Sequence, residues 1–148
     1  MKTVIFGSRS FAKYPNKYAK KYQKNPVILI ADHDKYEAEY LQLVDLINTF
    51  QVLYGGITEV VSGSADGVDQ AGERWANENG VKIKTFKPQW KKDGKLDKGA
   101  GFKRNIDMAE YCDMGIGVIV DNSNGSSQMK REMNKRKKEL LIKEVNNV

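Results

Sequence analysis

The stretch from Glu59 to Asp69 reads EVVSGSADGVD, a β-branched run that ends in a glycine-rich turn, with helical spacing starting at once behind it. Without a Cβ, Gly63 and Gly67 allow a tight turn and a close approach, so a turn of this kind can aim backbone N–H groups at an anion. Ser62, Ser64 and Ala65 complete the turn, and Asp66 or Asp69 is expected to cap the following helix. Three other clusters have the same character: Gly7, Ser8 and Arg9 behind the first apolar run; Arg104 and Asn105 at the start of a helical pattern; Asn124, Gly125, Ser126 and Ser127 behind a second apolar run. The positive end of a helix dipole disfavours a cation in the first turn. Arg104 is therefore expected to serve a phosphate through a bidentate fork, with an ion pair to Asp69 or Asp107 as the structural alternative.

The elements that must position these clusters follow from periodicity. Residues 2 to 6 and 81 to 86 read as strands, and Met114 to Val120 is a nearly continuous apolar strand of the kind buried in a parallel sheet. Val68, Ala71, Gly72, Trp75 and Ala76 share one face of a helix, as do Phe102, Ile106 and Ala109. A basic helix is expected over Gln128 to Lys138, and Leu140 to Val145 can add a last strand. Residues 87 to 101 lack periodicity and read as a long loop. Tyr36 to Tyr54 is the longest helical pattern and stops at Gly55-Gly56. Its apolar residues cover more than one stripe, which calls for two partners. One is the sheet; the other is either the same helix of a second subunit or the lysine-rich segment that precedes it. That segment, about residues 12 to 34, reads as an insertion holding a surface helix and a short strand at Val27 to Ile30, with His33 in a polar turn.

Alternating strands and helices imply a single Rossmann-like α/β domain, 1–148, with a mainly parallel sheet and helices on both faces. In that topology every strand-to-helix loop opens at the same edge, so the clusters converge on one crevice. No run of about 18 apolar residues exists and the chain opens directly into a strand pattern, so a cytoplasmic protein without a membrane partner is expected. One cysteine and one histidine cannot assemble a His/Cys metal cage, so no metal is expected; Cys112 reads as core. The formal net charge of +6 is concentrated in Lys130 to Lys143, with seven basic and two acidic residues, and in Lys13 to Lys24, with five lysines and no acid. Such runs can attract nucleic acid, but they are more often solvated faces.

Ser62-Gly63-x-Ala65-x-Gly67-Val68-Asp69, with Ala71 and Ala76 behind it, resembles the SG-x-A-x-G-[VI]-D pattern of the SLOG superfamily. That superfamily holds the bacterial DNA-processing proteins, the Lonely Guy phosphoribohydrolases and small proteins suspected of binding nucleotide derivatives. Lys103 to Met108 resembles its R-N or R-K-x-x-M element, and Gly125 to Met129 its G-T or G-S turn. Together with Gly7-Ser8-Arg9, Phe11 and the Trp90 to Gly101 loop, the set is similar to the small YspA-like branch.

The resemblance implies that these loops bind the phosphate and ribose of a nucleotide, with no further cofactor required. In the Lonely Guy enzymes the last turn reads P-G-G-x-G-T-x-x-E, and its glutamate takes part in N-glycosidic cleavage. Laid on this sequence, that position is Met129, which can move no proton. Glu132 and Glu73 are the weak candidates for a relocated acid. Binding of a nucleotide-type ligand without turnover is therefore the first expectation, N-glycosidic hydrolysis the second, and single-stranded nucleic-acid binding the third. A homodimer through the 36–54 helix accompanies the first.

Overall fold

The computed structural model describes residues 1–146. Its elements run β1 (Lys2–Gly7), α1 (Lys20–Lys24), α2 (Val27–Tyr54), β2 (Glu59–Ser62), α3 (Val68–Glu78), β3 (Lys82–Thr85), β4 (Lys91–Lys92), β5 (Lys95–Leu96), α4 (Ala100–Tyr111), β6 (Met114–Val120), α5 (Asn124–Lys135) and β7 (Leu140–Val145). Five strands form one sheet in the order β3-β2-β1-β6-β7, and every pairing in it is parallel. The chain steps outward from β1 to β3 and then returns to place β6 on the other side of β1. The order therefore reverses between β1 and β6, where loops diverge and leave a crevice at the carboxyl edge.

Side chains alternate across this sheet and build a core on each face. Ile5, Val60, Ile116 and Val118 meet Leu43, Ile47 and Phe50 of α2 and Ala71 and Trp75 of α3. Val4, Phe6 and Val61 meet Met108 and Ala109 of α4 and Met129 and Met133 of α5. On this second face β6 carries glycine twice, and the reason is steric. A Cβ at Gly115 would lie 2.7 Å from Leu140, and one at Gly117 would lie 2.6 Å from the Phe6 ring. Glycine there lets Phe6 lie across β6, and the ring then forms part of the crevice floor.

Several local expectations are corrected. Val27 to Ile30 is not a strand but the first turn of α2, which starts behind Pro26. Proline suits a helix start, and Val27 and Ile30 are 71% and 66% exposed, so no sheet partner recruits them. His33 lies within α2, edge-on to the Tyr14 ring, rather than in a turn. The 87–101 segment is not wholly irregular, since β4 and β5 pair as a small antiparallel hairpin. Helix α5 starts at Asn124, which draws Gly125, Ser126 and Ser127 into its first turn. Neither Asp66 nor Asp69 caps α3, whose start at Gly67 has no side-chain cap.

The segment before α2 covers only the first half of that helix. Tyr22 Oη donates to Asp32 at 2.6 Å, and Tyr14 packs on Tyr36 as well as His33. Further along α2, Leu41, Val52 and Leu53 remain exposed.

The basic carboxyl-terminal segment is largely consumed within the fold. Arg136 pairs with Glu132 and Glu110, Lys135 with Glu132, and Lys130 with Glu144. The Lys138 ammonium closes the end of α4, donating to the carbonyls of Ala109 at 2.6 Å, Glu110 at 3.0 Å and Cys112. Those carbonyls have no partner inside the helix, and a cation there also suits the dipole. Lys138→Met is expected to lower the unfolding free energy by about 1.5–3 kcal/mol, the range for hydrogen bonds from a charged donor. Lys137→Met, at an exposed neighbour, is expected to leave it within about 0.5 kcal/mol. Urea titrations of the two variants check this.

Candidate functional site

Three helices, α3, α4 and α5, begin at the crevice edge, and none has a side-chain cap at its amino end. The residue types are present but are used elsewhere. Ser123, at the cap position of α5, pairs its hydroxyl with that of Ser8 at 2.7 Å. Asp69, in the first turn of α3, turns back to accept the Ala65 N–H at 3.3 Å. Ends of this kind leave N–H groups and positive dipole ends free for an anion.

The loops meet through backbone. Gly67 takes a φ of 84°, and a Cβ on it would lie 2.5 Å from the Ser8 carbonyl oxygen and 2.6 Å from that of Arg9. A Cβ at Gly63 would collide with the Arg104 guanidinium and lie 2.9 Å from an Asp69 oxygen. Gly7 is pressed against the Val118 carbonyl and the Val68 side chain. Ser8 links the two sides of the switch point, since its N–H donates to Val118 O at 3.0 Å and its hydroxyl accepts the Val120 N–H at 2.8 Å. Gly125 differs from these glycines: nothing lies within 4 Å of where its Cβ would be, although it lines the crevice.

Arg104 is half-buried in the second turn of α4, because the helix starts at Ala100 and not at Phe102. The first-turn placement expected from sequence is corrected, and the conflict with the helix dipole is weaker than expected. Its Nη1 donates to Gly63 O at 2.8 Å and its Nε to Asn105 Oδ1 at 2.9 Å. Neither Asp69 nor Asp107 forms the ion pair considered as the alternative; Asp69 acts on it only through space. Burial holds its pKa below the ordinary arginine value, with Asp69 opposing that shift and the Arg9 charge adding to it. The Nη2 nitrogen has no acceptor among the described residues. Arg9, exposed on the same wall, has neither hydrogen bond nor ion pair among them. Asn105 is buried and fully engaged, donating to Gln128 Oε1 at 2.8 Å and Gly125 O at 3.3 Å, so it holds Arg104 in place and ties α4 to α5.

The crevice encloses about 410 Å³. Of the residues singled out by sequence, it brings together Gly7, Ser8, Arg9, Ala65, Asp69, Arg104, Asn105, Gly125 and Ser126. Gly63 and Ser64 line a second cavity of about 830 Å³ on the outer side of Arg104, together with Glu73. Ser62 is buried beneath it, and Gly67, Asn124 and Ser127 line neither cavity. Glu132 also lines neither, being engaged with Lys135 and Arg136, which hold its pKa low. Met129 is on the crevice wall at the place where the Lonely Guy pattern has its glutamate.

Sequence reasoning missed Phe6 and Val120 in the apolar floor; Met108 and Ser123 fell within the stretches it singled out but were given no role in the site. Met108 stands one turn behind Arg104, so helical spacing could have found it. Phe6 could have been found from the glycines opposite it on β6.

Among the described residues Asp69 is the one carboxylate lining the 410 Å³ crevice, and it is 4% exposed. Burial pushes its pKa up to about 6; Arg104 and the Ala65 and Gly7 amides oppose that shift. Cys112 is buried, and burial raises its thiol to about 11, which leaves it protonated and inert. Among the described residues no His/Cys/Asp/Glu cluster could hold a metal ion, and no helix is long and apolar enough to cross a membrane.

Residues 26–92 match the model of the YspA, cpYpsA-related SLOG family. The matched span holds α2, β2, α3, β3 and the Ser62–Asp69 turn, while β1, α4 and α5 lie outside it. No curated protein and no solved structure matches.

The Asp69 pKa yields a test of its burial. Its folded value is above the ordinary 3.8, so its contribution to stability is complete below that pH and is lost as pH rises through about 6. Asp69→Asn keeps an acceptor for the Ala65 N–H and removes the ionisation. Its melting temperature relative to the wild type is therefore expected to rise between about pH 4 and pH 7 and then level off. Thermal melts across that range check the slope, and the opposite sign would mean that Arg104 stabilises the carboxylate more than burial opposes it.

Proposed function

We propose that this chain, a member of the SLOG superfamily in its YspA-like branch, binds a phosphate-bearing nucleotide or nucleotide derivative in the crevice between the ends of β1 and β6, without turning it over. The observation that carries this reading is the pair Arg9 and Arg104. Two guanidiniums face one crevice, with like-charge repulsion between them and, among the described residues, no carboxylate in ion-pair contact with either. A phosphate in the crevice neutralises both and accepts the unused N–H groups of Arg104 and of the α5 amino end. The volume of about 410 Å³ is within the range of small-molecule sites.

Absence of turnover is supported by how the carboxylates are used. Glu132 is turned away, and Glu73 accepts the hydroxyls of Ser62 and Ser64 at 2.7 and 2.8 Å. The hydrolytic reading rests on Asp69 alone, whose pKa near 6 suits proton transfer near neutrality. Incubation with nucleoside monophosphates is expected to release no free base. Base release that Asp69→Asn abolishes would replace the binding reading with the hydrolytic one. The nucleic-acid reading loses most of its support with the internal pairing of the basic α5 segment. The exposed Leu41, Val52 and Leu53 support a homodimer through α2, and light scattering of the Leu41→Glu and Leu53→Glu variants tests it.

Arg9 and Gly125 separate binding from folding, because the fold uses their backbone but neither the Arg9 side chain nor the space at the Gly125 Cβ position. Arg9→Ala is expected to leave the melting temperature unchanged and to weaken binding of a nucleoside phosphate by about 1.5–3 kcal/mol. Gly125→Leu is expected to fold normally and to block the crevice. Calorimetric titration checks both variants, and undiminished affinity in both would remove the ligand from this crevice.

A further inference from the structure

The cavity outside Arg104 shares Arg9, Ala65 and Arg104 with the crevice, so the two are continuous around that guanidinium. Its other lining residues are of a different chemical kind. Trp90 is 43% exposed, whereas Trp75 is 4% exposed in the core. The Trp90 backbone is anchored, and one edge of its ring lies against α4. Its carbonyl accepts the Asp97 N–H at 2.6 Å across the β4–β5 hairpin, and its Cη2 edge lies 3.5 Å from where a Cβ on Gly101 of α4 would stand. An indole held by one edge, with much of its surface open to a cavity beside two arginines, is a platform for a flat ring.

Glu73 supplies directional chemistry on the same cavity. Its Oε2 accepts both serine hydroxyls, which fixes the carboxylate plane and leaves Oε1 with no donor among the described residues. The contact also holds Ser64 at a φ of 58°, a left-handed conformation that costs free energy for a serine. Oε1 is thus a fixed, acceptor-only group, and it selects a ring that offers an N–H.

We infer that this outer cavity is the subsite for the nucleobase, which stacks on Trp90 and donates an exocyclic amino N–H to Glu73 Oε1, while the phosphate is held between Arg9 and Arg104. The inference rests on the proposed nucleotide-binding reading and adds the base class to it: adenine, guanine or cytosine in preference to a base with a carbonyl at the corresponding position. Glu73 is here a specificity residue and takes no part in bond breaking.

Calorimetric titrations of the full chain with adenosine 5′-monophosphate, inosine 5′-monophosphate and ribose 5-phosphate test it. The wild type is expected to bind the adenine nucleotide at least about tenfold more tightly than ribose 5-phosphate, and more tightly than the inosine nucleotide. Trp90→Ala is expected to erase the advantage over ribose 5-phosphate while leaving ribose 5-phosphate affinity unchanged. Glu73→Gln keeps an acceptor for the serines and presents an NH2 group to the cavity, so it is expected to reverse the preference toward the inosine nucleotide. If ribose 5-phosphate binds in an Arg9-dependent way but the base adds nothing, or if Trp90→Ala weakens all three probes equally, the base subsite is overturned and the phosphate crevice stands. If no probe binds the wild type, both readings fall together.

Discussion

The site depends on how closely the loops at the ends of β1 and β2 approach each other. They touch main chain to main chain, with Gly67 under the carbonyls of Ser8 and Arg9, and the next layer is equally tight, with Gly63 against Arg104 and Asp69. A methyl group at any of these points would push loop from loop, and interiors packed at crystal-like density absorb such a shift poorly. Much of the glycine signature is therefore consumed in bringing walls together. Only Gly125 leaves its space open to the crevice, so it, rather than the more conspicuous Gly63 or Gly67, marks where a ligand can come near the main chain.

This division explains what could be read from the amino-acid sequence. The alternation of strands and helices, the last strand at Leu140–Val145 and the shared edge of the loops follow from periodicity and from the handedness of parallel crossovers, and they are found as expected. Arg104 stood out because it was read in a first turn, against the helix dipole; the helix starts earlier, at Ala100, and what marks Arg104 in the fold is its half-buried place on the crevice wall. Val27 to Ile30 misled because four β-branched or aliphatic residues fit a strand, and only the absence of a partner edge decides for helix. Caps at Asp66 or Asp69 misled for a related reason: sequence shows that a carboxylate is available, not that Asp69 turns back onto its own loop.

Charge was the least legible property. The run from Lys130 to Lys138 looks like a polyanion surface when counted along the chain, yet most of its cations meet acids from α4, α5 and β7 or carbonyls at the end of α4. The cation that matters most for the crevice sits where counting gave it no weight. Arg9 is one residue in a short loop, and its importance comes from lying opposite Arg104, a relation created only by the fold.

Helix α4 is held near both ends by side chains outside the usual capping set. Arg104 ties its second turn to the β2 loop through Gly63, and Lys138 closes its last turn from behind α5. Between these two contacts, from Arg104 to the last turn, the amides of α4 are expected to be released to solvent together. In hydrogen exchange α4 is then one cooperative unit with the loops it serves. The geometry around Arg104 is inherited from that unit as a whole, and the crevice keeps its shape only as long as the far end of the helix stays closed.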